Sequence, residues 1–366
     1  MVLGTAVEFD WDILQLDVQT AFLNANVEEE VYVKMAPGYE KDEMTGVPLV
    51  MRLHKSLYGL RQSPMNWHST IDTYVTKIGF KPLKSDPYVY VYYMDDDYIN
   101  NSTANTSRKP EAILTLYVDD LMLTGGDKAV LKMLKETLMN RVATADMGDI
   151  SLILGMKITR IRENGTLTIS QAIYTRSVLE KYGTGECKPV NTPGAGKELS
   201  LDQPEGNLLN ATEKPRYQAT TCSLMYPAQV TRDDILFNVN QLARAISKPS
   251  NAHMGAAKHV LRYHAGTINV DITYKKGGFT LTAFSDANWG NNPDTGKSMS
   301  SYIMMMSNGP VSFKEGLQGI TAQSTLEAEL VAAALAMKEA VFCANMMQEL
   351  GFGEKFKCVP LHIDNT

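Results

Sequence analysis

A pair of acids interrupts an otherwise apolar stretch near the middle of the chain, and this limits the local fold more than any other feature. Ile113-Leu114-Thr115-Leu116-Tyr117-Val118 is apolar and β-branched. Asp119-Asp120 breaks it, Leu121-Met122-Leu123-Thr124 resumes it, and Gly125-Gly126 ends it. Two strand-sized runs around a short polar break predict a β-hairpin with both acids at its tip. Charges at the tip of a hairpin core are costly unless they are solvated or hold a ligand. The pattern leaves both open. Asp95-Asp96-Asp97 and Asp233-Asp234 lack apolar flanks on both sides and read as loop and helix-start acids.

After the hairpin, Val130, Leu131, Leu134, Leu138 and Val142 recur at helical spacing, which predicts a helix over 128–142. Its lysines, Lys128, Lys132 and Lys135, read as a solvated face. Ser170 is placed to cap a helix running through Tyr182 to a stop at Gly183. A further helix is predicted from Ala252 to His264. Its histidines, His253, His259 and His264, are six and five apart and do not stack on one face, so a metal site there is not expected. The last hundred residues alternate. Strands are predicted at Asp271–Tyr274 and Phe279–Ser285 around a Lys-Lys-Gly-Gly turn, and at Tyr302–Met306 and Val311–Lys314 around Asn308-Gly309. A helix over 325–350 and a strand at Cys358–Ile363 follow. Sheet, helix and strand in that order indicate an α/β or α+β arrangement. Polar stretches at Asp95–Pro110 and Gly183–Pro215 read as loops, the second long enough for a domain boundary.

The totals are those of a globular chain. It has 366 residues, 44% hydrophobic and 21% charged, enough for two or three domains. A net charge of −6 speaks against a generic basic nucleic-acid binder but is compatible with an acidic metal site. Cys187, Cys222, Cys343 and Cys358 have no C-x-x-C spacing, so neither zinc nor a disulfide framework is expected. The N-terminus has no basic run ahead of its apolar stretch. The longest apolar run, Leu330–Met337, is short for a membrane span. A soluble, intracellular protein with no membrane partner is expected.

Acids on rigid strands and turns suit one chemistry in particular. Phosphoryl transfer depends on positioning and on neutralising accumulating negative charge. Two divalent ions can activate the attacking hydroxyl and stabilise the leaving oxygen. Magnesium takes hard oxygen ligands, so such a site needs several convergent carboxylates.

Several segments in register resemble one family. Tyr117-Val118-Asp119-Asp120 with Leu-Met-Leu-Thr-Gly is similar to the Tyr-X-Asp-Asp motif of reverse transcriptases in its copia form. Gln15-Leu16-Asp17-Val18-Gln19-Thr20-Ala21-Phe22-Leu23-Asn24 resembles the first catalytic motif, followed by Glu28–Val33 and Pro37-Gly38-Tyr39. Ser56-Leu57-Tyr58-Gly59-Leu60-Arg61-Gln62-Ser63-Pro64, closing at Trp67, and the segments Tyr217–Asn238 and Ala256–Thr267 continue the match. The resemblance, to copia-type retrotransposon Pol polyproteins, spans nearly the whole chain.

It implies that Asp17, Asp119 and Asp120 form a polymerase metal site, with the Val18 carbonyl as a further ligand. The ions would be two Mg2+ per site, with Mn2+ an alternative. Phe22 would lie under the incoming sugar and select deoxynucleotides; from the residues alone it reads as a core phenylalanine. Gln62 would line the nucleotide pocket. Arg61, Lys55 and Arg52 would contact phosphate backbone, or else are exposed cations with no such task. Partners would be an RNA template, a DNA primer, RNA/DNA hybrid and deoxynucleoside triphosphates. The location would be the cytoplasm, in a virus-like particle, or the nucleus.

A second acidic set resembles a ribonuclease H core. Asp286 follows an apolar strand, Asp364 ends another, and Glu327 and Glu329 lie on the helix between them. Ser324-Thr325-Leu326-Glu327 fits a capping box, which gives Glu327 a structural task. Glu329, in Ala-Glu-Leu, matches the helix acid of that resemblance and is assigned the metal role beside Asp286 and Asp364, with Glu327 as second choice, and His362 reads as structural.

The implied fold class is α+β, a reverse transcriptase palm and thumb followed by a truncated ribonuclease H-like α/β domain. The expected domains are 1–183 (partial fingers, palm and start of the thumb), 184–267 (linker and connection) and 268–366 (ribonuclease H-like). Against the family pattern, finger strands before Asp17 and a fourth ribonuclease H acid after Thr366 would be missing. Met65, Pro227 and Asp233 also depart from it. The implied function is an RNA-directed DNA polymerase with an incomplete ribonuclease H. The alternative is an inactive remnant that at most binds nucleic acid or a partner.

Overall fold

The computed structural model describes residues 1–39, 49–94, 108–194 and 199–364. Asp95-Asp96-Asp97, most of the polar stretch around them, and residues 195–198 of the second stretch lie outside the described residues. Two compact units emerge. One is Trp11–Ile150. The other joins Met1–Asp10 to Ser151–Thr366. Helix α1 (Val2–Glu8) opens the chain and belongs to the latter.

In the unit Trp11–Ile150 the elements are β1 (Asp12–Val18), β2 (Tyr32–Lys34), β3 (Val50–Arg52), α2 (Ser63–Ile78), β4 (Lys81–Pro82), β5 (Val89–Tyr92), β6 (Ala112–Tyr117), β7 (Asp120–Gly125), α3 (Lys128–Arg141) and β8 (Thr144–Asp149). Six strands form an antiparallel sheet in the order β4-β5-β6-β7-β1-β8, and β2 pairs with β3 in a separate ribbon. Side chains alternate across a strand. Leu16 and Val18 of β1, Leu114 and Leu116 of β6, and Leu121 and Leu123 of β7 share one core with Trp67, Ile71 and Val75 of α2 and Leu131, Leu134 and Leu138 of α3. Each such side chain contributes roughly 1.5–3 kcal/mol on full burial.

Local signals set the helix ends. Pro64 sits in the first turn of α2, and Gly79 ends it in the left-handed region at φ 106°. Asp127 caps α3 by accepting from the amides of Ala129 and Val130. The lysine-bearing face of α3 is solvated or paired, Lys135 with Asp146 at 2.6 Å. Gly125 ends β7 where a Cβ would stand 2.3 Å from the Glu111 carbonyl oxygen, so no larger residue fits this strand contact.

The second unit holds β9 (Leu152–Ile153), β10 (Met156–Ile161), β11 (Thr166–Ser170), α4 (Ala172–Lys181), α5 (Glu213–Val230), α6 (Leu236–Arg244), α7 (Asn251–Gly266), β12 (Ile272–Lys275), β13 (Thr282–Asn288), β14 (Met299–Met306), β15 (Gly309–Leu317), α8 (Thr325–Glu349) and β16 (Leu361–Ile363). It contains two four-stranded sheets, β12-β11-β10-β9 and β15-β14-β13-β16. In the second, β16 runs parallel to β13 and the other pairs are antiparallel. Helices α4 to α7 share a core that includes Tyr217, Leu224, Val239 and Leu261. Within it, Arg232 is 2% exposed. Its guanidinium is held by both carboxylate oxygens of Asp234 and by the carbonyl and hydroxyl of Thr267.

The mixture of helix and mostly antiparallel sheet is α+β. Two local expectations change. Ile272–Lys275 does not form a hairpin with the strand that follows it. It pairs with β11, more than a hundred residues earlier. Gln171 takes the N-cap position of α4, one residue later than expected, while Ser170 closes β11 and still supplies a side-chain cap, its hydroxyl accepting from the Ala172 amide at 3.3 Å. By length and composition α8 could cross a bilayer. In this fold nine of its residues are buried, and it packs on β13 and β14.

Candidate active sites

The first site lies at one end of the six-stranded sheet. Pairing of β1 with β7 sets Asp17 directly opposite Asp120. Pairing of β6 with β7 closes at Tyr117 and Asp120, which leaves Val118 and Asp119 as a two-residue tip. Hairpin tips of this length need a positive φ, usually supplied by glycine, asparagine or aspartate. Here Val118 adopts it, at φ 55°. A β-branched residue there is strained and persists only when its surroundings hold it. Two bonds do so. The Trp67 indole donates to the Val118 carbonyl at 2.6 Å, and the Val18 amide donates to the Asp119 carbonyl at 2.8 Å. The predicted hairpin is thus present, and its tip is tied to both α2 and β1.

The three acids are half-buried. The Asp120 carboxyl is held above the ordinary aspartate range, first by burial and then by the charges of Asp119 and Asp17. A hydrogen bond from Gln15 Nε2 at 3.3 Å opposes this. Mutual repulsion among three carboxylates is what a bound cation would relieve. The Val18 backbone, through its amide bond to the Asp119 carbonyl, lies beside them.

A left-handed residue, Thr20 at φ 52°, turns the chain after β1 into the short 3-10 segment Ala21–Asn24. This puts Phe22 in the core, 8% exposed, on a turn instead of a strand. The ring of Tyr58 lies on Phe22, with centroids 4.4 Å apart, and is itself 51% exposed. Gln62 is the N-cap residue of α2, where its carbonyl accepts from the Asn66 amide. Arg52 pairs with Glu30 at 3.1 Å, Lys55 donates to the Asn24 carbonyl at 3.4 Å, and Arg61 is exposed.

The second site is built on the sheet β15-β14-β13-β16. Asp286 lies on β13, Asp364 directly follows β16, and Glu329 projects from the second turn of α8. Among the described residues, one set of three metal-ligating side chains brings its ligand atoms within 4.8 Å of one another, and it is Asp286, Glu329 and Asp364. Glu329 is 6% exposed. Its Oε1 accepts from the Ala287 amide at 3.3 Å, and its Oε2 is buried with no hydrogen-bond partner. Burial, and then the charges of Asp286 and Asp364, raise its carboxyl above the ordinary glutamate range, while the Ala287 amide lowers it. An orphaned buried oxygen facing two more acids fits a hard divalent cation.

Glu327 has the structural task expected of it, with a shift of one residue. Ser324 caps α8 by accepting from the Glu327 amide at 3.1 Å, and Glu327 reaches back to the amide of Gln323 at 2.7 Å. His362 stacks on Phe284 at 4.9 Å. A cleft of about 240 Å3 borders Asp286 and is lined in part by Asp233, Leu236, Phe284 and Phe313. The three histidines of α7 have separate roles. The His253 ring accepts from the Ser250 amide in a capping box, His259 meets the Thr192 carbonyl, and His264 is buried without a hydrogen bond to either nitrogen.

Residues 1–195, more than half of the chain, match the family described as reverse transcriptase (RNA-dependent DNA polymerase). This chain belongs to the reverse transcriptase family. It is 34% identical over 97% of its length to the retrovirus-related Pol polyprotein from transposon TNT 1-94 of Nicotiana tabacum, and covers 26% of that protein. It is 33% identical over 96% of its length to the corresponding polyprotein from transposon RE2 of Arabidopsis thaliana, and covers 23% of it. The chain therefore spans about a quarter of the length of these curated relatives. At 27% identity it covers 100% of the putative transposon Ty5-1 protein of Saccharomyces cerevisiae. These likenesses bear out the copia-type Pol resemblance read from the motifs.

In this reverse transcriptase chain the residue that sequence reasoning passed over is Tyr58. It lay inside the matched run Ser56–Pro64, but no spacing rule ties it to Phe22, which is 36 positions earlier. Only the turn after β1 and the loop before α2 bring the two rings together.

Proposed function

We propose that this chain performs RNA-directed DNA synthesis by metal-assisted nucleotidyl transfer, as the polymerase part of a copia-type element, and carries a ribonuclease H-like domain. The six-stranded sheet with α2 and α3 is read as the palm, α4 to α7 as thumb and connection, and β13 to β16 with α8 as the ribonuclease H-like part. This corresponds to domains 1–183, 184–267 and 268–366. The observation that carries the proposal is the register that sets Asp17 opposite Asp120, with Asp119 at a hairpin tip held by Trp67.

Asp17, Asp119 and Asp120, with the Val18 carbonyl, would hold Mg2+ or Mn2+. When bound, two such ions lower the barrier by activating the attacking hydroxyl and neutralising the leaving group. The protein's own part is positioning. The strained tip fixes Asp119, and the cross-strand pair fixes Asp17 against Asp120 before any substrate arrives. Phe22 would bound the sugar pocket, and the substrates would be a DNA primer on an RNA template with deoxynucleoside triphosphates. Asp286, Glu329 and Asp364 would hold metal for hydrolysis of RNA in an RNA/DNA hybrid.

Metal-dependent extension of a DNA primer on an RNA template, with Asp119→Asn alongside, tests the polymerase. Release of labelled RNA fragments from a hybrid, with Glu329→Gln alongside, tests the second site.

A further inference from the structure

Glu329 can meet Asp286 and Asp364 only while the second turn of α8 keeps its place against β13 and β14. One side chain ties that turn to the sheet. It is Gln318, which directly follows β15 and is 5% exposed. Its Nε2 donates to the Ala328 carbonyl at 2.9 Å, one residue before Glu329, and to the Ser300 hydroxyl at 2.8 Å. Its backbone amide donates to the Ser298 carbonyl at 2.9 Å, just ahead of β14, which fixes the base of the side chain.

These bonds close a circuit through the acids. Ser300 lies directly opposite Ala287 in the pairing of β13 with β14, and the Ala287 amide donates to Glu329 Oε1 at 3.3 Å. From one amide nitrogen, Gln318 thus holds the helix turn that carries Glu329 and the residue paired with the strand position that Glu329 touches. Ser300, Ala328 and Glu329 are all buried. The arrangement costs stability. Gln318 Oε1 is buried with no hydrogen-bond partner, a loss that a methionine of similar shape would avoid. A buried polar side chain that leaves one of its own atoms unsatisfied points to a task other than filling the core.

We propose that Gln318 is a positioning residue of the second acidic site: it sets the seat of Glu329 against Asp286 and Asp364, and with it the affinity of that set for a divalent cation. This rests on the reading of the three acids as metal ligands given above. Gln318 acts through α8 and the strand pair, not as a ligand. Removing a neighbour that orients a metal ligand by hydrogen bonds typically weakens metal binding by about 10–100-fold.

The test is isothermal titration of the full chain with Mn2+, in a background carrying Asp17→Asn and Asp119→Asn so that the first site does not contribute. The parent of this series is expected to bind Mn2+ and to lose that binding in Glu329→Gln. Gln318→Met keeps the volume, removes both donors, and is expected to raise Kd by about tenfold or more. It also leaves the Ser300 hydroxyl without its partner, so thermal melting in chelator is measured beside it. Ser300→Ala combined with Gln318→Met removes that hydroxyl and is expected to melt near the parent, because replacing both partners by apolar groups is close to neutral. Its Kd is expected to stay raised. A merely structural role would restore affinity together with stability, and that result overturns the proposal. So does a folded Gln318→Met chain whose Kd lies within about twofold of the parent's. Should Gln318→Met alone fail to fold, the double variant gives the same reading. A folded parent that binds no Mn2+, or binds it equally well with Glu329→Gln, refutes the reading of the three acids as ligands. That outcome is distinct from a binding parent whose Kd ignores Gln318.

Discussion

The Trp67 indole nitrogen lies 2.6 Å from the Val118 carbonyl oxygen, joining helix α2 to the hairpin tip 51 positions further along the chain. Trp67 is 2% exposed, so this bond lies inside the core. It also restrains a valine at φ 55°. Trp67→Phe would leave the carbonyl without its donor and open space beside it. Each effect costs about 1–3 kcal/mol, so a loss of roughly 2–6 kcal/mol is expected in denaturant unfolding. Primer extension should fall with it, because the tip carries Asp119. An unchanged unfolding midpoint would show that the indole bond contributes nothing to holding the tip.

Glu329, with Asp286 and Asp364 around it, should report metal through stability. Its folded pKa is raised, so its contribution to stability is present below the unfolded value and is lost as pH rises through the folded value. In chelator at pH 7, Glu329→Gln is expected to melt above the parent. Adding Mg2+ or Mn2+ should reverse the order, since a ligand at a hundred times its Kd stabilises by about 2.7 kcal/mol. Equal metal-induced shifts in parent and variant would place the cation elsewhere.

His264 predicts acid sensitivity in the helical core of α4 to α7. It is buried with neither ring nitrogen hydrogen-bonded, and its pKa is pushed down to about 4 by burial, with Arg232 adding to this and Asp234 opposing it. The unfolded chain takes up this proton more readily than the folded one. Stability from this residue is therefore fully present above about pH 6.5 and declines as pH falls toward 4, by roughly 3 kcal/mol in all. His264→Leu should flatten that part of the urea-stability profile. A profile as steep as the parent's would assign the acid sensitivity to another group.

Legibility in the sequence followed the range of the forces involved. The hairpin 112–125 was readable because its apolar runs and their polar break are local, and α8 was readable because Ser324 and Glu327 mark its start within one turn. Asp17 was not readable from pattern. It reaches Asp120 only through a pairing between strands a hundred residues apart, and its role came from the family resemblance. The partner of β12 is hidden from local pattern for the same reason, since β11 takes that edge from far away in the chain. Pro227, a departure from the family pattern, sits buried in the last turn of α5. Its carbonyl accepts from the amides of Thr231 and Arg232, which closes the helix end where the proline lies. The contact of Phe22 with Tyr58 left no trace in either motif taken alone.

Asp17, Asp119 and Asp120 are proposed to form a polymerase site, and primer extension on an RNA template with Mg2+ or Mn2+ distinguishes a working site from an idle one. The parent chain is expected to extend the primer with deoxynucleotides, to stop in chelator, and to lose activity by on the order of a hundredfold to a thousandfold in Asp119→Asn at unchanged folding. A folded parent chain that does not extend, or an Asp119→Asn chain that extends as well as the parent, would contradict it.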